Sequence, residues 1–113
     1  MTLIKVVDIL KKINEPNYVP YKHITNSDIE YFLKNKQFTY TLNTQYTFYA
    51  DPIQNHAQRI ASIINLIQNN IIINPVHIYI INDNYEIEDG YHRLRAFYYL
   101  NKKIPVILWN MDT

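Results

Sequence analysis

The stretch "EIEDGYHRLRAF", residues 86–97, gathers Glu86, Glu88, Asp89, His92, Arg93 and Arg95 around Gly90, the only glycine in the chain. Carboxylates, an imidazole and guanidinium groups set beside a glycine form a set that can hold an anion. Glycine reaches positive φ without steric cost and, lacking a Cβ, lets another group approach closely. Asn also visits the left-handed region, and this chain is rich in Asn, so close approach by a ligand or another backbone is the better reason for Gly90. A second pair, His56 and Arg59, lies three residues apart, a spacing that puts both on one face of a helix. Arginine occurs only at positions 59, 93 and 95. Arg is preferred over Lys where a planar fork must grip a phosphate or carboxylate at two points.

The elements that must position these groups follow from periodicity and punctuation. "PVHIYII" reads as a strand, "NDN" as a turn and "YEIE" as a second strand with Tyr85 and Ile87 on one face. "YHRLRAFYYL" is a helix, and "IPVILW" a closing strand, so strand, helix and strand form a βαβ unit. Asp89 and Gly90 are therefore the turn into a helix whose first residues are Tyr91, His92 and Arg93. Such a junction presents unpaired N–H groups and the positive end of the helix dipole to an anion. Glu86 and Glu88 share one strand face. "DPIQNHAQRIASIINLIQNN" is the clearest helix, with Asp51 as N-cap and Pro52 in its first turn. Its buried stripe is Ile53, Ala57, Ile60, Ile64 and Ile67, with His56 inside and Arg59 at the edge.

Upstream, Leu3, Ile4, Val7, Leu10 and Ile13 predict an amphipathic first helix that ends at "NEPNYVP". Ser27 and Glu30 predict a capping box for a short second helix. "QFTYTLNTQYTFYA" predicts one or two strands. Purely structural roles are open for every candidate: Asp89 as a helix cap, Arg93 as a partner of Glu86 or Glu88, His56 as a hydrogen-bonded core histidine, and Arg59 as a solvated flank. Arg95 lies about 200° from Arg93 around the helix, on the side of Tyr91 and Tyr98, and is expected to face solvent.

"DGYHRLRAFYYLNKKIPVIL" resembles the ParB/sulfiredoxin superfamily, whose core carries a glycine-x-His/Arg-Arg turn followed by a helix and a strand. "HAQRIASIINLIQNNIIINPVHIYI" is similar to the helix and Pro-led strand that precede that turn, so the resemblance runs from Asp51 to Leu108. It implies an α+β fold with a small mixed sheet and packed helices in a single domain. Residues 1–50 are read as an extension packed on a core formed by residues 51–113. Members of this superfamily use the turn for the phosphates of ATP, ADP or CTP. The resemblance thus implies Gly90, His92 and Arg93 as phosphate contacts and makes a nucleotide the expected ligand, and the face that His56 and Arg59 share on their own helix makes them further candidates for the same ligand. A carboxylate before the glycine suits Mg²⁺, since hard cations prefer oxygen ligands. Asp89 is the expected metal ligand or base, with Glu88 or Glu86 as substitutes. The expected activity is NTP hydrolysis or a kinase-like phosphoryl transfer to an unknown acceptor.

Composition limits the alternatives. The chain has no cysteine, which excludes sulfiredoxin chemistry and fits a reducing, cytoplasmic setting. A net charge of +1 disfavours DNA as the primary ligand and weakens a nuclease reading. The sequence runs only a few residues past the closing strand, so centromere partition is not expected. The first residues form neither a signal peptide nor a membrane span. Two alternatives stay open: a ParB-like nuclease, and a non-catalytic interaction or regulatory protein on the same scaffold, in which a protein partner meets the aromatic segment 38–49.

Overall fold

The computed structural model describes residues 1–13, 23–39 and 53–112. Its order is β1 (Thr2–Lys5), α1 (Val6–Leu10), α2 (Asn26–Asn35), α3 (Ile53–Gln68), β2 (Val76–Ile81), β3 (Asn84–Ile87), α4 (Tyr91–Tyr99) and β4 (Lys103–Asn110). The strands form one mixed sheet in the order β1-β4-β2-β3. β1 and β4 are antiparallel, β4 and β2 parallel, β2 and β3 antiparallel. This is the expected α+β architecture. The segments read as Asp51 N-cap, Pro52, "NEPNYVP" and most of "QFTYTLNTQYTFYA" lie outside the described residues.

Residues Val76, Ile78, Ile87, Ile104 and Val106 point to one face of the sheet and pack with Val6, Ile9, Leu94 and Phe97. A second cluster joins Ile24 and Ile29 to Ala57, Ile60, Ala61, Ile64 and Ala96. α4 bridges the two, because Leu94 and Phe97 face the sheet while Ala96 meets α3. That double burial fixes the start of α4 against both the sheet and α3. The apolar stripe of α3 buries Ala57, Ile60 and Ile64 as expected, with His56 inside it. Ile53, at the first turn, is exposed.

Several local expectations are corrected. Residues 2–5 are a strand, not the first turns of a helix. They pair along β4, with Ile4 opposite Ile104, and this ladder outweighs the helical spacing of isolated apolar residues. In α1 the buried residues are Val6 and Ile9, whereas Val7 is exposed. The capping box of α2 is Thr25 with Asp28, not Ser27 with Glu30. The Asp28 amide donates to Thr25 Oγ1 and the Thr25 amide to the Asp28 carboxylate. The parallel partner of β4 is β2, so the crossover between parallel strands contains β3 as well as α4. β3 and β4 do not themselves form a parallel pair.

Candidate functional site

Gly90 has φ +130°, whereas every other positive-φ residue described, Lys36, Asn70, Asn82, Asp83 and Asn101, lies between 51° and 62°. Those residues occupy the left-handed helical well that Asn tolerates, and Gly90 lies beyond it. Glycine is therefore required by backbone conformation. It is required by space as well: a Cβ at residue 90 would lie 2.8 Å and 2.9 Å from the two γ-methyl groups of Val76. Close approach is real, and the group that approaches is the side chain of the core residue Val76. Gly90 is buried and is the N-cap of α4; its carbonyl accepts from the Leu94 amide. The N-cap position is held by Gly90, which has no side chain to accept from the first turn, so Asp89 is not the cap residue.

Arg93 holds the turn against the segment that leads into β2. Its Nη1 donates to the carbonyls of Asn74 and Pro75 at 3.0 Å and 3.1 Å. Its Nη2 lies 3.6 Å from the largely exposed Asp89 carboxylate. The pairing with Glu86 or Glu88 left open by the sequence is replaced by one with Asp89 and two backbone oxygens. Glu86 stands opposite Tyr79 in the ladder, and Glu88 accepts a hydrogen bond from the Tyr79 hydroxyl. Both lie on the sheet face away from the core, as expected of a shared face, and the structure does not bring them to the start of α4.

His56 is fully buried on α3, and its ring lies edge to edge with that of His92, nearly coplanar, with centroids 5.0 Å apart. His56 Nδ1 and His92 Nε2 are 2.8 Å apart, so one nitrogen donates and the other accepts. Burial lowers the His92 pKa to about 3, and His56, Arg59 and Arg93 add to the effect because each opposes a further positive charge. His92 is neutral at physiological pH. It offers a hydrogen bond, and the full charges nearby belong to Arg59 and Arg93.

His92 opens onto a groove of about 450 Å³, whereas the buried His56 is not among its lining residues. Arg59, Asp89, Gly90, His92 and Arg93 line it, so the structure brings together two clusters that lie about thirty residues apart in the sequence. Thr39, Ser62 and Asn74 supply additional polar lining that the sequence reading missed. Ser62 is buried, donates to the Gln58 carbonyl and accepts from the Thr39 amide, thereby tying residue 39 to α3. The apolar lining includes Ile63, Leu66 and the run Ile71–Ile72–Ile73. Three successive isoleucines outside any strand or helix, one of them 94% exposed, were the available signal. Among the described residues no group of three His, Asp or Glu could by itself enclose a metal ion.

Arg95 does not face solvent. It is buried, with Nη2 donating to the Ile24 carbonyl and to Asn26 Oδ1, and its guanidinium lies over the Tyr98 ring. The segment entering α2 covers that side of α4, a contact made across some seventy residues of sequence. Among the described residues no helix is long and apolar enough to cross a membrane.

A comparison with protein families matches residues 45–113 to the ParB N-terminal domain. Comparisons with curated proteins and with solved structures find no match. The matched span contains α3, β2, β3, α4 and β4, and with them every described residue of the groove except Thr39. By that match, over more than half of its length, the chain belongs to the ParB N-terminal domain family.

Proposed function

We propose that the groove at the start of α4 binds a nucleoside di- or triphosphate, ATP, ADP or CTP, and supports Mg²⁺-dependent hydrolysis or phosphoryl transfer. The observation that carries this reading is the convergence of Arg59, His92 and Arg93 at a helix start whose N-cap residue, Gly90, offers no side-chain cap, beside an apolar lining of isoleucines and Leu66. Helix N-termini favour phosphate through their N–H groups and dipole. Two guanidinium groups add the charge, and the isoleucines suit the ligand's less polar part.

The donor set fits Mg²⁺ in one way only. Among the described residues Asp89 is the single carboxylate lining the groove, which suits an ion held mostly by phosphate oxygens and water rather than by a protein cage. Such an ion would neutralise charge developing on the transferred phosphoryl group. Asp89 holds it or positions the acceptor, Arg59 and Arg93 neutralise the phosphates, and neutral His92 contributes a hydrogen bond. Glu86 and Glu88 have no part in this arrangement.

Calorimetric titration with ATP, ADP and CTP, with and without Mg²⁺, tests the reading. Arg59→Ala should weaken binding by about 1.5–3 kcal/mol, the range for a hydrogen bond to a charged group. Phosphate release with Mg²⁺ should fall when Asp89 is changed to Asn. If none of the three nucleotides binds or raises the melting temperature at millimolar concentration, the groove is not a nucleotide site.

A further inference from the structure

A second pocket, of about 590 Å³, lies at the opposite end of α4, where β1 passes into α1 and where the turn after α4 enters β4. Lys5, Asn101, Lys102 and Lys103 line it together with Phe97 and Tyr98. No carboxylate is among its described lining residues. Three of the chain's eight lysines thus open onto one cavity.

The strand register makes this arrangement costly. Lys5 and Lys103 are direct partners across the β1·β4 ladder, and like charges directly opposite each other destabilise a sheet. Helix electrostatics do not account for the cluster. Lysines at a helix C-terminus can offset the dipole, but the carbonyls of Ala96, Phe97 and Tyr98 already accept from the amides of Leu100, Lys102 and Asn101. Lys5, moreover, arrives from another element. Opposed lysines that persist beside a cavity are what an anion site requires, since the ligand removes the repulsion.

We propose that this pocket binds a small anion bearing a diphosphate group, held by Lys5, Lys102 and Lys103. Lysine serves phosphate as a point charge without demanding one geometry. Three ammonium groups match the charge of a diphosphate, and Phe97 and the half-exposed Tyr98 offer a surface for an organic substituent. The site is separate from the groove: α4 has nine residues, so its two ends lie about 12 Å apart at 1.5 Å per residue.

The test is an NMR titration of the whole chain with inorganic pyrophosphate, following backbone amides. Uridine diphosphate in a parallel arm shows whether an organic substituent adds affinity. The expected result is a saturable shift at Lys5, Asn101, Lys102 and Lys103 that is independent of any response at Gly90 and His92. Lys103→Gln should weaken that response about tenfold, the equivalent of about 1.4 kcal/mol, and should leave the melting temperature without ligand equal or higher. Should Lys103→Gln not fold, Lys102→Gln, in the turn and outside the ladder, carries the same expectation for affinity. Shifts confined to the groove, or unchanged affinity in these variants, would overturn the proposal. A groove that fails to bind nucleotide while the lysine pocket responds would overturn only the proposed function.

Discussion

The two corners that flank β3 are built by opposite rules. Asn82 and Asp83 turn the β2–β3 hairpin with φ values of 52° and 62°, the type I′ pattern, in which both central residues have positive φ. Their amides donate to the Asp112 carboxylate, which lowers its pKa. Nothing there requires glycine, because the left-handed well admits Asn and Asp at modest cost. At the other corner Gly90 sits at φ +130° against the γ-methyl groups of Val76, and the same substitution menu fails. The first corner only reverses the chain. The second sets the height of α4 above the sheet and so the placement of His92 and Arg93.

Gly90→Asn breaks this comparison most directly. It installs the residue that the chain uses elsewhere, and it should destabilise the fold by about 3 kcal/mol through backbone strain and overpacking combined. Chemical denaturation measures the loss, and Val76→Ala in the same chain should recover the steric share. A loss below 1 kcal/mol, the lower end of either contribution, would mean that the corner relaxes and that the glycine is dispensable.

Arg93→Ala comes next. The free protein should lose about 2 kcal/mol, because two backbone carbonyls lose a charged donor. Nucleotide affinity should fall as well. Unaltered stability in the free protein would make Arg93 a ligand group alone.

The His56–His92 pair gives a pH dependence. The His92 pKa is about 3 in the fold and near 6.5 in the unfolded chain. The unfolded state therefore binds the extra proton first. The contribution of neutral His92 is complete above pH 6.5 and is lost as pH falls from there toward 3. The urea midpoint should decline over this window, and His92→Asn should flatten the decline. An equal slope in the variant would assign the effect to other groups.

The smallest effect is expected at the permissive corner. Asp83→Gly should change stability by less than about 0.5 kcal/mol, since Asn-Gly is a favoured pair for a two-residue hairpin. A loss comparable to that of Gly90→Asn would erase the distinction between the corners.

Much of the site was legible in the sequence because its parts are local. The glycine turn, the helix that follows and the shared face of His56 and Arg59 depend on spacing within a few residues. The strand at residues 2–5 was not legible, since only its pairing with β4 overrides an apolar spacing that also suits a helix. Arg95 was misplaced for a related reason: helical periodicity says which residues share a side, but not what covers that side. Here Ile24 and Asn26 arrive from far upstream and turn an apparent surface arginine into a buried one.

The sequence by itself determined the order of β2, β3, α4 and β4, the turn at Asp89–Gly90 and the stripe that buries Ala57, Ile60 and Ile64, because backbone preference and amphipathic spacing are written within each segment. Tertiary structure alone decided that β4 pairs with both β1 and β2, that His56 shares a hydrogen bond with His92, and that Val76 leaves no room for a Cβ at position 90. Each of these depends on the distance between surfaces remote in sequence, and that distance is set when the whole core packs at fixed density.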